Sequence, residues 1–233
     1  MPKTNRTYTL PSDVTTVTRS ALKGVKNNRT IKRVIIPHGV TSIEERAFRD
    51  CKHLTSITIP DGVTEINDYT FDYCSKLTSI NIPNSVTWIG QAAFDDCSKL
   101  TSITIPNSVT NIGARAFSRC KKLTSISLSN NITTIRRSTF DGCSSLTSIT
   151  IPDGVTVIEN YTFSNCSSLA SIDIGKSVTS IGIWAFKNCT SITSINIPDS
   201  VTAIKDLAFN GCTSITSITI PNSITSIGID AFR

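Results

Sequence analysis

Residues 54–76 read LTSITIPDGVTEINDYTFDYCSK, and residues 77–99 read LTSINIPNSVTWIGQAAFDDCSK. The second stretch repeats the first at a spacing of 23 residues. The pattern L-T-S-I-x-I-P-x-x-V-T-x-I-x-x-x-[AT]-F-x-x-C-x-x then runs on through the chain. All eight cysteines lie on this grid, from Cys51 to Cys212. All nine phenylalanines lie three residues earlier, from Phe48 to Phe232. Stacking one such unit about nine times gives a solenoid rather than an ordinary globular core. Residues that recur in every unit are read as architecture, and function is sought where units differ.

Each unit has a local logic. Residues 56–59 alternate polar and apolar, the period-2 mark of a half-buried strand, with Ile57 and Ile59 inward and Ser56 and Thr58 outward. Pro60 ends the strand because it cannot donate to a ladder, and Asp61-Gly62 supplies turn chemistry. Residues 63–66 read as a second extended piece. The five- and three-residue gaps from Ile66 to Phe71 to Cys74 suit a short helical turn or an irregular segment laid over the core. Strands stacked in parallel advance roughly 4.8 Å per unit. The expected fold class is an α/β-type repeat solenoid. It is curved, with a parallel sheet on the concave face and short helical or irregular segments on the convex side.

Residues 1–30 read as a degenerate first unit. Tyr8, Leu10, Pro11, Val14, Val17, Leu22 and Val25 fill the strand, proline, Val, Ile, Phe and Cys positions, and three extra residues fall within the polar stretch 26–30. Terminal units are atypical because one face meets water. Residues 31–233 carry the regular units, the last stopping in mid-repeat. The start, MPKTNRTYTL, has no apolar run of signal-peptide type, and no segment approaches the roughly 20 apolar residues of a membrane span.

The pattern resembles the leucine-rich repeats of the BspA type, also called the Treponema pallidum class. The likeness rests on I-P-x-x-V-T-x-I-G-x-x-A-F, as at residues 105–117, and on the trailing Cys120-Lys121-Lys122-Leu123. It covers about residues 31–233. Ser129 and Gly175 replace the proline, and Ile192 and Ile215 replace the leading Leu. The resemblance implies a curved solenoid used for protein–protein contact. Family members occur on surfaces of oral and gut bacteria, spirochaetes and parasitic protists, where they are linked to adhesion to host cells or matrix proteins. It therefore implies a secreted or cell-surface location and a host or matrix protein as partner. The absent signal sequence and the thiol-rich core favour the alternative, an intracellular scaffold or structural repeat protein.

The chain carries a net charge of +6 with 17% charged residues, short of a nucleic-acid-binding signature. No enzyme chemistry is legible. His38 and His53 are the two histidines, no serine is singled out from its column, and no phosphate-binding glycine loop occurs. The cysteines, 23 residues apart, lack the close pairing of metal ligands and read as small buried hydrophobes. No cofactor is expected.

Three sets of residues remain as partner-binding candidates. The outward strand face offers Ser102, Thr104, Ser125, Ser148 and Thr150, within columns of Ser, Thr, Asn and Asp. Regular hydroxyl arrays on flat solenoids can order ice, but a curved face that mixes Asn and Asp fits that poorly. Lys52, Lys76, Lys99, Lys121 and Lys122 form a basic edge that fades to Ser and Thr in later units. Nearby Asp50, Asp72, Asp95 and Asp96 are expected to neutralise it in part. Such an edge would attract acidic proteins or acidic glycans. Tyr69, Tyr161 and Trp184 share the position two before Phe, and Trp88 stands where other units carry polar residues. Large aromatics in polar columns are what binding hot spots use.

Overall fold

The computed structural model describes residues 6–26 and 28–233. The insertion expected within 26–30 and the first five residues therefore lie partly or wholly outside the described residues. The chain forms a parallel β-solenoid of about ten turns, built from twenty short strands that alternate between two positions in the unit. The first position is the three-residue strand, such as Ser56–Thr58, which pairs in parallel with Ile31–Ile35 before it and Ser79–Asn81 after it. The second is a two-residue strand, such as Glu65–Ile66. From there one ladder of eight strands runs unbroken to Ser226–Ile227. At the N-terminus Tyr8 pairs with Val34 and Val17 with Ile43, an offset of 26.

The core is a bundle of columns. The inward Ile of each first strand, the Val and Ile of the second, the leading Leu or Ile, the Phe and the Cys all lie within it. Neighbouring Phe rings stack with centroids 5.0–5.7 Å apart and planes within 17°. That spacing matches the strand-to-strand rise, so one pitch serves both walls. Threonine hydroxyls reinforce the register. Thr78, Thr101, Thr124 and Thr147 each donate through Oγ1 to the carbonyl of the equivalent threonine one unit earlier.

The helical or α/β character expected of the Phe-bearing wall is not what forms. Helix occurs among the described residues only as the turn Ser20–Leu22 and the four residues Lys23–Lys26. The wall is instead a chain of tight turns that is itself ladder-bonded. The N–H groups of Tyr69, Phe71 and Tyr73 donate to the carbonyls of Gln91, Ala93 and Asp95 in the next unit. Those of Thr70, Asp72 and Cys74 donate back three residues within their own unit. A helix would direct every N–H along its own segment, leaving none for the neighbour. The alternation requires a left-handed backbone at two positions per unit, as at Tyr69 (φ 56°) and Tyr73 (φ 59°). Each such residue costs roughly 1–2 kcal/mol, and the inter-unit hydrogen bond accompanies it at every step.

Candidate functional site

Outward residues of the first strands are distinguished by what their side chains leave undone. The neighbouring threonine column spends its hydroxyls on backbone carbonyls, as above. The hydroxyls of Ser102, Thr104, Ser125, Ser148 and Thr150 make no hydrogen bond among the described residues, and all five side chains are exposed. They project because alternation turns Ile103, Ile126 and Ile149 inward, where those residues are buried.

This face is not uniform. The first-strand ladder pairs Ser125–Ser127 with Ser102–Thr104, and Ser148–Thr150 with Ser171–Asp173, and is interrupted between the two pairs, as it also is between Ser79–Asn81 and Ser102–Thr104 and between Ser171–Asp173 and Ser194–Asn196. Over the interruption between the two pairs lies an open trough of about 520 Å³, whose floor and rims include Ser125, Leu128, Ser148, Thr150, Ile172 and Asp173. Ser102 and Thr104 flank it on the adjoining strand. Leu128 and Ile172 are half-buried, and Asp173 is exposed without an ion pair among the described residues. The trough thus combines free hydroxyls, two accessible apolar side chains and one carboxylate. Two units lining it, those of Ser129 and Gly175, lack the strand-ending proline. Asp173 belongs to the outward column read from the sequence; Leu128 and Ile172 are not marked by it.

The remaining candidates stand elsewhere. Trp88 lies on the second ladder, half-buried between Glu65 and Asn111. Tyr69, Tyr161 and Trp184 occupy the left-handed position of the turn wall. There they are engaged within the molecule. Arg46 lies over Tyr69 at 4.7 Å, Tyr161 meets Trp184 edge-on at 5.0 Å, and Lys187 lies over Trp184 at 4.3 Å.

The lysines form a third location, on the turn that leads into the first strand. The expected neutralisation is largely redirected. Lys52 reaches Asp50 at 3.8 Å. Asp72 pairs with Arg49 at 3.0 Å, and Asp95 with Arg119 at 2.9 Å and Arg115 at 3.1 Å. Lys76, Lys99, Lys121 and Lys122 make no ion pair among the described residues. Asp72 and Asp95 are almost fully buried, which explains the choice. Burial pushes the Asp72 carboxyl up to about 6 and raises that of Asp95, each against the pull of its arginines. A planar guanidinium reaches such a carboxylate from the wall better than a lysine on a separate turn. His53 turns toward Lys76, Nδ1 to Nζ 3.5 Å, rather than toward Ser56.

The cysteine thiols are buried from Cys51 to Cys189, with Cys212 half-buried. Desolvation raises the Cys97 and Cys120 thiols well above their ordinary range, which keeps them protonated. Among the described residues no cluster of three metal-ligating side chains forms, and no helix is long and apolar enough to cross a membrane.

Comparison with known proteins bears on this architecture. Residues 24–147 and 133–233 match the model of the BspA type leucine rich repeat region, in six copies. A leucine-rich repeat protein from Bacteroides ovatus superposes with a TM-score of 0.59 at 27% identity, covering 97% of this chain and 83% of that one. The T. pallidum leucine rich repeat protein gives 0.63 at 28% identity, over 69% of this chain and 78% of that one. A leucine rich cell surface protein from Faecalibacterium prausnitzii gives 0.55 at 25% identity, over 96% and 87%. Among curated proteins, no sequence match was found.

Proposed function

The chain belongs to the BspA-type leucine-rich repeat family, and from that premise we propose that it is a non-enzymatic, protein-binding solenoid that docks its partner in the first-strand trough. The observation that carries this reading is the trough itself. Hydroxyls at Ser125, Ser148 and Thr150 have no hydrogen-bond partner among the described residues, and they border the accessible Leu128 and Ile172. A small apolar floor within a rim of unpaired polar groups is the make-up of a protein contact surface.

The finer reading is adhesion. The face is concave, the protein acts outside the cell, and the partner is a host or matrix protein. Likeness to a protein described as a cell surface protein supports this location. In this reading residues 1–30 serve as the end unit of the array.

The test is binding to a panel of purified extracellular-matrix proteins, measured by biolayer interferometry. Wild-type protein is compared with Thr150→Arg, which fills the trough, and with Trp88→Ala and Trp184→Ala. Loss of tenfold or more in Thr150→Arg, with smaller effects in the tryptophan variants, supports the trough. Dependence on the tryptophans alone moves the site to their faces. No binding to any panel member removes the adhesion reading.

A further inference from the structure

The four consecutive side chains His53, Lys76, Lys99 and Lys122 occupy one column, the second position after Cys. In the next four units the same position holds Ser145, Ser168, Ser191 and Ser214. The column is held in register by the adjacent backbone. Thr78 donates through its N–H to Thr55, Thr101 to Thr78, and Thr124 to Thr101. One histidine or lysine therefore stands about every 4.8 Å along this edge. Lys52 and Lys121 widen it at either end, and Arg29 stands near enough to His53 to act on its charge.

Apart from Lys52, which reaches Asp50 at 3.8 Å, the lysines of this edge have no acidic partner among the described residues. The nearby buried carboxylates are committed to Arg49, Arg115 and Arg119 on the turn wall. Lys76, Lys99 and Lys122 are exposed and make no ion pair among the described residues. Burial, followed by Lys76 and Arg29, pushes the His53 pKa down, a sign of the positive potential there. In-register stacking of like charges is a standing repulsion that a bound polyanion would relieve.

We propose that this edge is a docking strip for a linear anionic polysaccharide carrying sulfate or carboxylate groups. The in-register, single-file arrangement suits an extended chain rather than a folded acidic protein. Its pitch is near the length of one sugar ring. The flanking positions are hydroxyl-bearing, Ser75, Ser98, Thr78 and Thr101; the last three donate to backbone carbonyls, which leaves their oxygens able to accept from sugar hydroxyls. A nucleic-acid strip would interleave aromatic platforms for the bases. The ring beside this edge, Tyr73, is instead covered by Arg49 and Arg119. The strip lies outside the trough and holds whether or not the trough binds protein.

The test uses immobilised heparin as a sulfated glycan, with polyglutamate and a single-stranded oligonucleotide as competing polyanions, at about 50 mM salt, where screening is weak. The variant is Lys76→Ser/Lys99→Ser/Lys122→Ser, which installs the residue that later units already carry there. Its thermal unfolding is expected to match wild type. The proposal predicts that wild type is retained on heparin and weakened by added salt. The triple variant should bind roughly tenfold or more weakly, having lost three of its screened contacts. Ser145→Lys/Ser168→Lys/Ser191→Lys, which extends the strip, should bind more tightly. Equal retention of wild type and triple variant would overturn the proposal. So would passage of wild type through the column, or tighter binding to polyglutamate or to the oligonucleotide than to heparin.

Discussion

The thiol of Cys97 donates a hydrogen bond to the backbone carbonyl of Phe71 in the preceding unit, 3.3 Å away. The same carbonyl accepts the N–H of Cys74 at 3.0 Å. Six further thiols, at Cys74, Cys120, Cys143, Cys166, Cys189 and Cys212, repeat this contact at 3.0–3.2 Å. The two invariant side chains of the grid are thus joined across units. Phe stacks on Phe, while Cys bridges to the backbone of the Phe before it. A small, apolar side chain with a weak donor is what that position requires.

Truncating Cys97→Ala removes the sulfur from a filled site while Phe71 keeps its Cys74 N–H. The expected cost is about 1–2 kcal/mol, mostly from the cavity. Urea unfolding of wild type and variant measures it.

Reactivity follows burial. Cys212 is half-buried, whereas the other seven thiols are buried. The native protein should react with a thiol reagent first and fastest at Cys212, and all eight thiols should react after unfolding without reductant. Fewer than eight after unfolding would show that some were paired.

Phe117 is fully buried between Phe94 and Phe140, whereas Phe232 is 41% exposed. Phe117→Ala should cost about 3–5 kcal/mol and Phe232→Ala well under half of that. Because the array is held by nearest-neighbour contacts, the first change is expected to broaden or split the unfolding transition.

Gly113 packs where a Cβ would fall 2.5 Å from Gln91 N and 2.5 Å from Gly90 C, both backbone atoms. Gly113→Ala should destabilise by about 1–3 kcal/mol. Lys205 at the equivalent position keeps the inter-unit N–H bond at 2.9 Å despite its Cβ, as Gly113 does to Ile89 at 2.8 Å. The variant should therefore keep that bond and lose stability through the close backbone approach, read by urea unfolding.

Asp72 gives a pH signature. Its folded carboxyl titrates at about 6, against an ordinary value of 3.8. The folded state therefore holds this proton more tightly than the unfolded chain. The associated stability is complete below about pH 3.8 and is lost as pH rises through about 6. Asp72→Asn is neutral throughout, so its stability relative to wild type should rise between pH 4 and pH 7 and then level off. A flat difference across that range would contradict this.

Much of this architecture was legible because period and alternation are local. The 23-residue grid located the core columns, Ser56-Ile57-Thr58 alternation located the first strand, and residues 63–66 located the second. The turn wall was hidden for a specific reason. Its first left-handed column holds Arg46, Tyr69, Arg115, Tyr161 and Trp184, side chains that normally avoid that backbone and so give no cue. In the second column Gly142, Asn165, Asn188 and Gly211, with Asp50 and Asp96, carry the usual signal, while Tyr73 and Arg119 do not. Charge pairing was hidden for another. Asp95 draws Arg115 and Arg119 from the next unit, a choice made by burial and reach rather than by spacing. Of the candidate residues, Ser125, Ser148 and Thr150 line the trough. The apolar part, Leu128 and Ile172, depends on a break between strands that only the three-dimensional ladder reveals.

Hydroxyl-radical footprinting of the complex with a panel partner addresses the trough most directly. Docking there predicts that Leu128 and Ile172 become protected while Tyr69 and Trp184 on the turn wall oxidise as in the free protein. Protection of Tyr69 or Trp184 with Leu128 and Ile172 unchanged would contradict it.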